Sequence, residues 1–224
     1  MSDSYAFVGD LHGRVDQVGS VLRAFGGTRT MIFLGDYVNR GPDSRRVLQT
    51  LIAAQRLWPE SLLFLRGNHD QALLDFYETG DIGGFARMGG LATLASYTGM
   101  PTGDVHEAFK EAMPARHLIF LEGLQDFFED DSIFASHCGP DPSRLSSRDR
   151  CDVALSSHRE LFQADLRALG KTVVCGHYVQ RGMRPHVSDS LVAIDTGYGS
   201  VAGAPLSVFL WPERQVLGFG GDQC

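Results

Sequence analysis

Apolar residues fall along this chain in two rhythms. Short uninterrupted runs lie at Tyr5–Val8, Met31–Leu34, Leu62–Leu65, Ile133–Ser136, Val173–Cys175, Leu191–Ile194 and Leu206–Trp211. Nearly all stop at glycine, a charged residue or histidine, as buried strands do. Between them, apolar positions recur at three- and four-residue spacing and predict helices over Val15–Phe25, Asp43–Leu57, Gln71–Glu78, Phe85–Tyr97, Val105–Met113 and His158–Leu169. Asp43 and Ser44, following Gly41-Pro42, are good helix openers, and Pro59 closes that helix. The N-terminal third reads strand–helix–strand–helix–strand, which calls for right-handed parallel crossovers. The C-terminal strands follow more closely and suggest a second, antiparallel or mixed sheet. The pattern is that of an α/β fold in one domain over residues 1–224, with no repeat, low-complexity tract or linker.

Composition narrows the setting more than the fold. The chain has 224 residues, 43% hydrophobic and 21% charged, with net charge -7, so no basic face suited to nucleic acid is expected. No apolar stretch approaches the ~18 residues of a membrane span. The opening MSDSYAFVGD has no basic segment of the kind that starts a signal peptide. Cys138, Cys151, Cys175 and Cys224 form neither a CxxC pair nor a disulfide framework. These features predict a cytoplasmic enzyme without nucleic-acid or membrane partners.

The chemistry gathers where the apolar runs end. GDLHG (Gly9–Gly13), GDYVNRG (Gly35–Gly41), RGNHD (Arg66–Asp70), SHCG (Ser136–Gly139) and CGH (Cys175–His177) each set glycine beside an oxygen or nitrogen ligand. Parallel strands end on one sheet edge, so Asp10, His12, Asp36, Asn68, His69, His137 and His177 can converge there. Mixed carboxylate, imidazole and amide donors suit Mn, Fe or Zn better than Mg alone. Two ions about 3.5–4 Å apart need a shared ligand, a place that Asp36 fits. Arg40 and Arg66 are planar forks suited to phosphate oxygens. A lone strand-end Asp is more often a helix cap, and His106, His117, His158 and His186 read as ordinary surface or core histidines. Phe76, Tyr77, Phe127 and Phe128 read as core, and Arg144–Arg150 as a solvated loop. It is the repetition over five strand ends that argues for a site.

In this order, the five motifs resemble the phosphoprotein phosphatase family of metallophosphoesterases, whose pattern is GDxHG, GDxVDRG, GNH[DE], HAG and GHT. The segments MGGLATLASYTG (Met88–Gly99), PARHLIFLEGL (Pro114–Leu124) and IDTG (Ile194–Gly197) look like connections of its compact bacterial and phage members. The resemblance implies a calcineurin-like four-layer β-sandwich flanked by helices, with a dinuclear centre of divalent ions, manganese first and iron or zinc as alternatives. Asp10, His12 and bridging Asp36 would hold one ion, and Asp36, Asn68, His137 and His177 the other. Arg40 and Arg66 match phosphate-binding arginines, Arg159 matches a further one loosely, and His69 matches the general acid. The implied activity is protein serine/threonine phosphatase, with tyrosine possible, through in-line attack by a hydroxide shared between the metals. The substrate would be a phosphorylated protein or a small phosphoester. The alternative is hydrolysis of a phosphoanhydride, as by symmetrical diadenosine tetraphosphate hydrolases, which GNHD and an aromatic after GH resemble. RGPDS and the short C-terminal segment look more like the phosphatase branch.

Three positions leave the pattern. Cys138 replaces the Ala of HAG and Tyr178 the Thr of GHT, each beside a ligand. Cys138 and Cys175 read as small buried hydrophobes, with inhibitory oxidation the sharper alternative. Asn39 replaces the Asp that orients the general-acid histidine. An amide can hold the ring but brings no negative charge, so His69 is expected to serve aryl phosphates and phosphoanhydrides better than alkyl phosphates.

Overall fold

The computed structural model describes residues 4–99 and 103–220. It consists of two five-stranded mixed sheets packed face to face. The first has the order β10-β9-β1-β2-β3, built from β1 (Tyr5–Val8), β2 (Thr30–Phe33), β3 (Leu62–Phe64), β9 (Leu206–Trp211) and β10 (Gln215–Phe219). Here β1, β2 and β3 run parallel, while β9 pairs antiparallel with β1 and with β10. The second has the order β4-β5-β6-β8-β7, from β4 (Phe127–Glu129), β5 (Ile133–Ser136), β6 (Thr172–Cys175), β7 (His186–Val187) and β8 (Leu191–Ala193). In it β5, β6 and β8 are parallel, and β4 and β7 are antiparallel edges.

The two-residue period of a strand decides which side chain goes where. On β1, Tyr5 and Phe7 join Ile32, Leu34, Ile133, Ala135, Val174, Val192 and Phe209 between the sheets. Ala6 and Val8 face the other way, into a core with the helices. Both faces are thus buried, which explains why these strands read as continuous apolar runs. The outer layer on the first sheet is helical: α1 (Val18–Phe25), α2 (Ser44–Leu57), α3 (Asn68–Thr79), α4 (Ile82–Arg87), α5 (Gly90–Thr98), α6 (Val105–Ala112) and α7 (Ala115–Glu122). On the second sheet the outer layer is short turns. Val153, Ala154, Leu161 and Leu166 pack there against Phe134, Val173 and Cys175.

Several expected elements differ. The helix expected over Phe85–Tyr97 is two, α4 and α5, separated at Gly89 in the left-handed region (φ 80°). The helix expected over His158–Leu169 is two single-turn 3-10 segments, Arg159–Gln163 and Arg167–Leu169. The Arg144–Arg150 segment is the expected loop, with Arg144 and Arg150 exposed, but its arginines are tied down by ion pairs. Arg148 grips both Glu129 oxygens at 2.7 Å and lies 4.4 Å over the Phe134 ring, while Arg144 pairs with Asp152 and Arg150 with Asp126. Phe76 is buried in the core, whereas Tyr77, Phe127 and Phe128 are half-buried at its margin. No helix among the described residues is long and apolar enough to cross a membrane.

Candidate metal centre

Six parallel strands point their C-terminal ends at one place. The loops after β1, β2 and β3 bring Asp10, His12, Asp36, Asn39, Arg40, Asn68 and His69, and those after β5, β6 and β8 bring His137, His177 and Asp195. Asp36 Oδ2 is central, 3.5 Å from His12 Nε2, 3.4 Å from His137 Nε2 and 3.9 Å from His69 Nε2. Asp10 Oδ2 lies 3.8 Å from His12 Nε2. Asn68 Oδ1 is 3.0 Å from both His137 Nε2 and His177 Nδ1. Ligand atoms of Asp10, Asp36 and His137 fall within 4.8 Å of one another, as do those of His12, Asp36 and His69. The six sequence-predicted ligands are therefore together.

The backbone is bent to achieve this. His12, Asp36, Asn39, Arg40 and His177 all adopt positive φ (41°, 54°, 70°, 67° and 60°). Each such non-glycine residue costs on the order of 1 kcal/mol and persists where the surroundings over-determine it. Asp70 is one such determinant, since its carboxylate accepts the N–H groups of Asp36, Tyr37 and Gly67 at 2.8, 2.9 and 3.0 Å. Two glycines make room for carboxylates: a Cβ on Gly67 would strike Asp36 Oδ1, and one on Gly176 would strike Asp10 Oδ1. Imidazole direction is set from behind. His12 Nδ1 faces the Val38 carbonyl at 3.3 Å and His137 Nδ1 the Leu34 carbonyl at 2.9 Å, so both turn Nε2 to the cluster.

The electrostatics fit a cation. Burial pushes the carboxyls of Asp10 and Asp195 up, with Asp195 adding to the rise of Asp10 and Asp36 to that of Asp195. Asp195 Oδ2 is buried without a hydrogen-bond partner. Burial would raise Asp36 too, but His137, His69 and His12 outweigh it and hold Asp36 well below the usual carboxylate range. Conversely, burial would lower His137, yet Asp36 outweighs burial and pushes it up to about 10. Burial leaves His12 and His177 near 3, neutral and able to donate a lone pair. Buried carboxyl groups beside the neutral imidazoles of His12 and His177 are donor types that divalent first-row metals take, and a bound cation would displace the proton that Asp36 holds on His137.

Around this cluster, the arginines part ways. Arg40 reaches in, with Nη1 2.8 Å from His12 Nε2 and from Ser200 Oγ, and Nη2 3.1 Å from His69 Nε2. Arg159 lines a cleft that shares Arg40 and His177 with the cluster. Arg66 does not face the site, contrary to its expected phosphate contact. Its side chain is 2% exposed and its donors go to Asp126, Gln71 and the carbonyls of Glu122 and Leu124. It clamps the start of α3 to the end of α7.

Asn39 lies 3.1 Å from His69 Nδ1 through its amide nitrogen and accepts the Thr93 hydroxyl at 2.8 Å on Oδ1. That arrangement puts the ring proton of His69 on Nε2. Arg40, a donor only, instead favours Nε2 as acceptor and the proton on Nδ1, which Asn39 would accept with its amide turned over. An amide serves either tautomer.

Sequence reasoning missed Asp70, Thr93, Asp195 and Ser200 as supports of the site. Asp70 carried a signal, an acidic residue in the first turn of a helix opening on Gly67, and so did Asp195, which ends the apolar run Leu191–Ile194 two residues before Gly197; Thr93 and Ser200 carried none. Cys138 gives its thiol to the Ala154 carbonyl at 3.3 Å, and burial pushes both it and Cys175 up, away from thiolate. Both sit as buried small side chains. Tyr178 packs under His177 and donates to the Cys138 carbonyl at 2.9 Å, so it holds the loop rather than supplying a ligand. His106, His117 and His158 are bonded to Tyr77, Tyr97 and Asp152, as ordinary histidines are.

A family model described as calcineurin-like phosphoesterase matches residues 4–181. The mouse serine/threonine-protein phosphatase with EF-hands 2 is 35% identical over 77 residues, 33% of this chain and 10% of that protein. The chain spans a tenth to about a third of the length of the curated relatives it matches. A solved structure provisionally named a diadenosine tetraphosphatase is 22% identical, covers 100% of this chain and 96% of its own, and superposes with a TM-score of 0.63. A protein serine/threonine phosphatase from Saccharomyces cerevisiae, with similarity to human PP5, is 18% identical, covers 99% and 77%, and gives 0.62.

Proposed function

We propose, for a chain that belongs to the calcineurin-like phosphoesterase family, that it is a metal-dependent phosphomonoester hydrolase of the protein serine/threonine phosphatase type, with tyrosine substrates admitted. The observation that carries this reading is Asp36, whose one carboxylate lies 3.5 Å from His12 and 3.4 Å from His137, between two groups of donors. Asp10, His12 and Asp36 would hold one divalent ion, and Asp36, Asn68, His137 and His177 the second. Bound there, such ions supply Lewis acidity, activating water as nucleophile and offsetting phosphate charge. Manganese is the favoured ion, on the mixed carboxylate, imidazole and amide set.

The chain's own groups do the rest. Arg40 presents two N–H groups toward the cluster, where they would hold phosphate oxygens and balance charge that develops in the transition state. Arg159 stands further along the cleft as a second phosphate contact. His69 turns Nε2 to the cluster and would hand its proton to the leaving oxygen. Asn39 orients that ring through Nδ1. Arg66 is left out of substrate binding, because its donors are already engaged.

A second reading is phosphoanhydride hydrolysis, supported by end-to-end coverage of the diadenosine tetraphosphatase fold. Manganese-loaded protein assayed side by side on a phosphopeptide, p-nitrophenyl phosphate and diadenosine tetraphosphate separates the two. Asp36→Asn is expected to abolish turnover of every substrate, a loss of at least about a thousandfold. Retained activity in that variant would exclude Asp36 as the shared ligand.

A further inference from the structure

We infer that the cleft running outward from Arg40 and His177 is a receptor for a second phosphoryl group of the substrate, held by Arg181 and Arg184. The inference rests on the phosphoester-hydrolase reading and names the substrate class: molecules in which another phosphate lies close to the scissile one. The cleft has a volume of about 660 Å³ and its inner end is lined by Arg40 and His177. That size is within the range of about 300–1,000 Å³ common for small-molecule sites. Arg159, Arg181 and Arg184 line it too, with Phe162 and His186, and among the described residues no carboxylate lines it.

An exposed arginine is usually just solvated, so what counts is the gathering of several unpaired ones in a single cleft. The chain carries 27 acidic residues against 20 basic ones. Elsewhere many arginines have found those acids, as Arg29 with Glu213, Arg144 with Asp152, Arg148 with Glu129, Arg150 with Asp126 and Arg167 with Asp165, while Arg56, Arg87 and Arg116 are also unpaired but stand on three different helices, α2, α4 and α7. Among the described residues, Arg159, Arg181 and Arg184 make no ion pair or hydrogen bond, and all three share this cleft. The cleft on the opposite flank of Arg40 differs, since Asp16 and Asp43 line it beside Arg14. Anionic attraction is therefore one-sided.

The segment bearing the two arginines is shaped as well as charged. Gly182 and Met183 both take positive φ (67° and 57°) in a single turn between Arg181 and Arg184. The base of that turn is fixed, with the Gln180 N–H donating to the Asp195 carbonyl at 2.8 Å. The turn is thus anchored at the end of β8, beside the metal-ligand cluster. Paired guanidinium forks bind phosphate dianions by charge-assisted hydrogen bonds. Two sources present that chemistry beside a scissile phosphate: a multiply phosphorylated peptide and a polyphosphate chain.

The test uses the full chain loaded with manganese, as wild type, Arg181→Ala/Arg184→Ala and Arg181→Lys/Arg184→Lys. Substrates are p-nitrophenyl phosphate, a singly phosphorylated peptide, the same peptide with a neighbouring second phosphoserine, and inorganic tripolyphosphate. Calorimetry measures tripolyphosphate binding independently of turnover. Wild type is expected to favour the doubly phosphorylated peptide, or to bind tripolyphosphate over orthophosphate, by tenfold or more, expressed in KM or Kd rather than kcat. The double alanine variant should lose that preference while p-nitrophenyl phosphate turnover stays within twofold, and the lysine pair should keep part of it. A preference confined to the peptide identifies protein substrates, and one confined to tripolyphosphate identifies polyphosphates. Equal handling of one and two phosphates by wild type, or a preference that survives both alanines, overturns the inference. Failure to hydrolyse p-nitrophenyl phosphate with manganese would instead overturn the hydrolase reading, and the calorimetric comparison would still judge the cleft.

Discussion

At position 39 the chain places an amide where the motif it resembles has a carboxylate, and the neighbourhood bears on what that exchange does. Thr93 Oγ1 bonds both the backbone N–H and the Oδ1 of Asn39, at 2.9 and 2.8 Å, so the side chain is held in place. A carboxylate in the same pose would accept the same Thr93 proton and would also accept from His69 Nδ1. It would fix one tautomer and favour a charged ring, whereas Asn39 permits either tautomer and favours none. Asn39→Asp is therefore expected to raise kcat on alkyl phosphates by about threefold to tenfold relative to aryl phosphates, a fraction of the 10²–10⁴ available to general-acid catalysis. Steady-state rates over a series of leaving groups check this, and unchanged alkyl turnover in the variant rules it out. The same scale explains the error at Arg66. A motif fixes where a residue stands in the chain, but not where its side chain turns. Gln125 and Asp126, which draw Arg66 away through their segment, lie some sixty positions later.

At the scale of elements, what could be read was what burial makes uniform. The central strands β1, β2, β5, β6, β8 and β9 are covered on both faces and appear as apolar runs. Of the four edge strands, β3 is covered enough to read as an apolar run, while β4, β7 and β10 are half-exposed, so their composition is mixed and they went unread. Helix α7 is a short segment after Pro114, and the Phe85–Tyr97 expectation ignored a glycine pair that ends one helix and begins another. The strand-end motifs were legible because each metal-type ligand follows its strand within a few residues. Edge strand β4 yields a prediction of its own. Glu129 on it takes both Arg148 at 2.7 Å and Lys171 at 2.9 Å, tying the edge to the loop and to β6. The Arg148 hydrogen bond, aided by Lys171, outweighs burial and lowers Glu129 from 4.5 to about 2. A depressed folded pKa means stability that is present above 4.5 and lost as pH falls toward 2. Glu129→Gln should cost about 1 kcal/mol at pH 7, a Tm drop of roughly 2–4 °C for a chain of this size. Thermal melts across pH should show that gap closing between pH 4.5 and 2, and a gap independent of pH would exclude the charged pair as its cause.

Across the whole molecule, the ligand cluster is also a joint. Asp10, His12, Asp36 and Asn68 follow strands of the first sheet, while His137 and His177 follow strands of the second. Apolar contacts between the sheets hold their faces together, but at the ligand edge the two loop sets meet through polar groups: His177 N–H to Asp10 at 3.2 Å, His137 Nε2 to Asn68 at 3.0 Å. Burial, and after it repulsion from neighbouring carboxylates, raises the Asp10 and Asp195 carboxyls there. Cations bound between the two sets would remove that repulsion and cross-link the sheets, binding the folded chain and not the unfolded one. Mass action then sets the scale: free metal at a thousand times Kd stabilises by about 4 kcal/mol, or roughly 8–16 °C in Tm. Melts of the chelator-stripped protein with and without added manganese measure this directly, with no substrate in the assay. His177→Ala removes one of the second sheet's two ligands and should give up about half of the shift or more, whereas Arg40→Ala, which the proposed function assigns to substrate and not to metal, should keep it. A melting temperature indifferent to manganese, or a shift as large in His177→Ala as in wild type, would mean that the cluster does not join the sheets through metal.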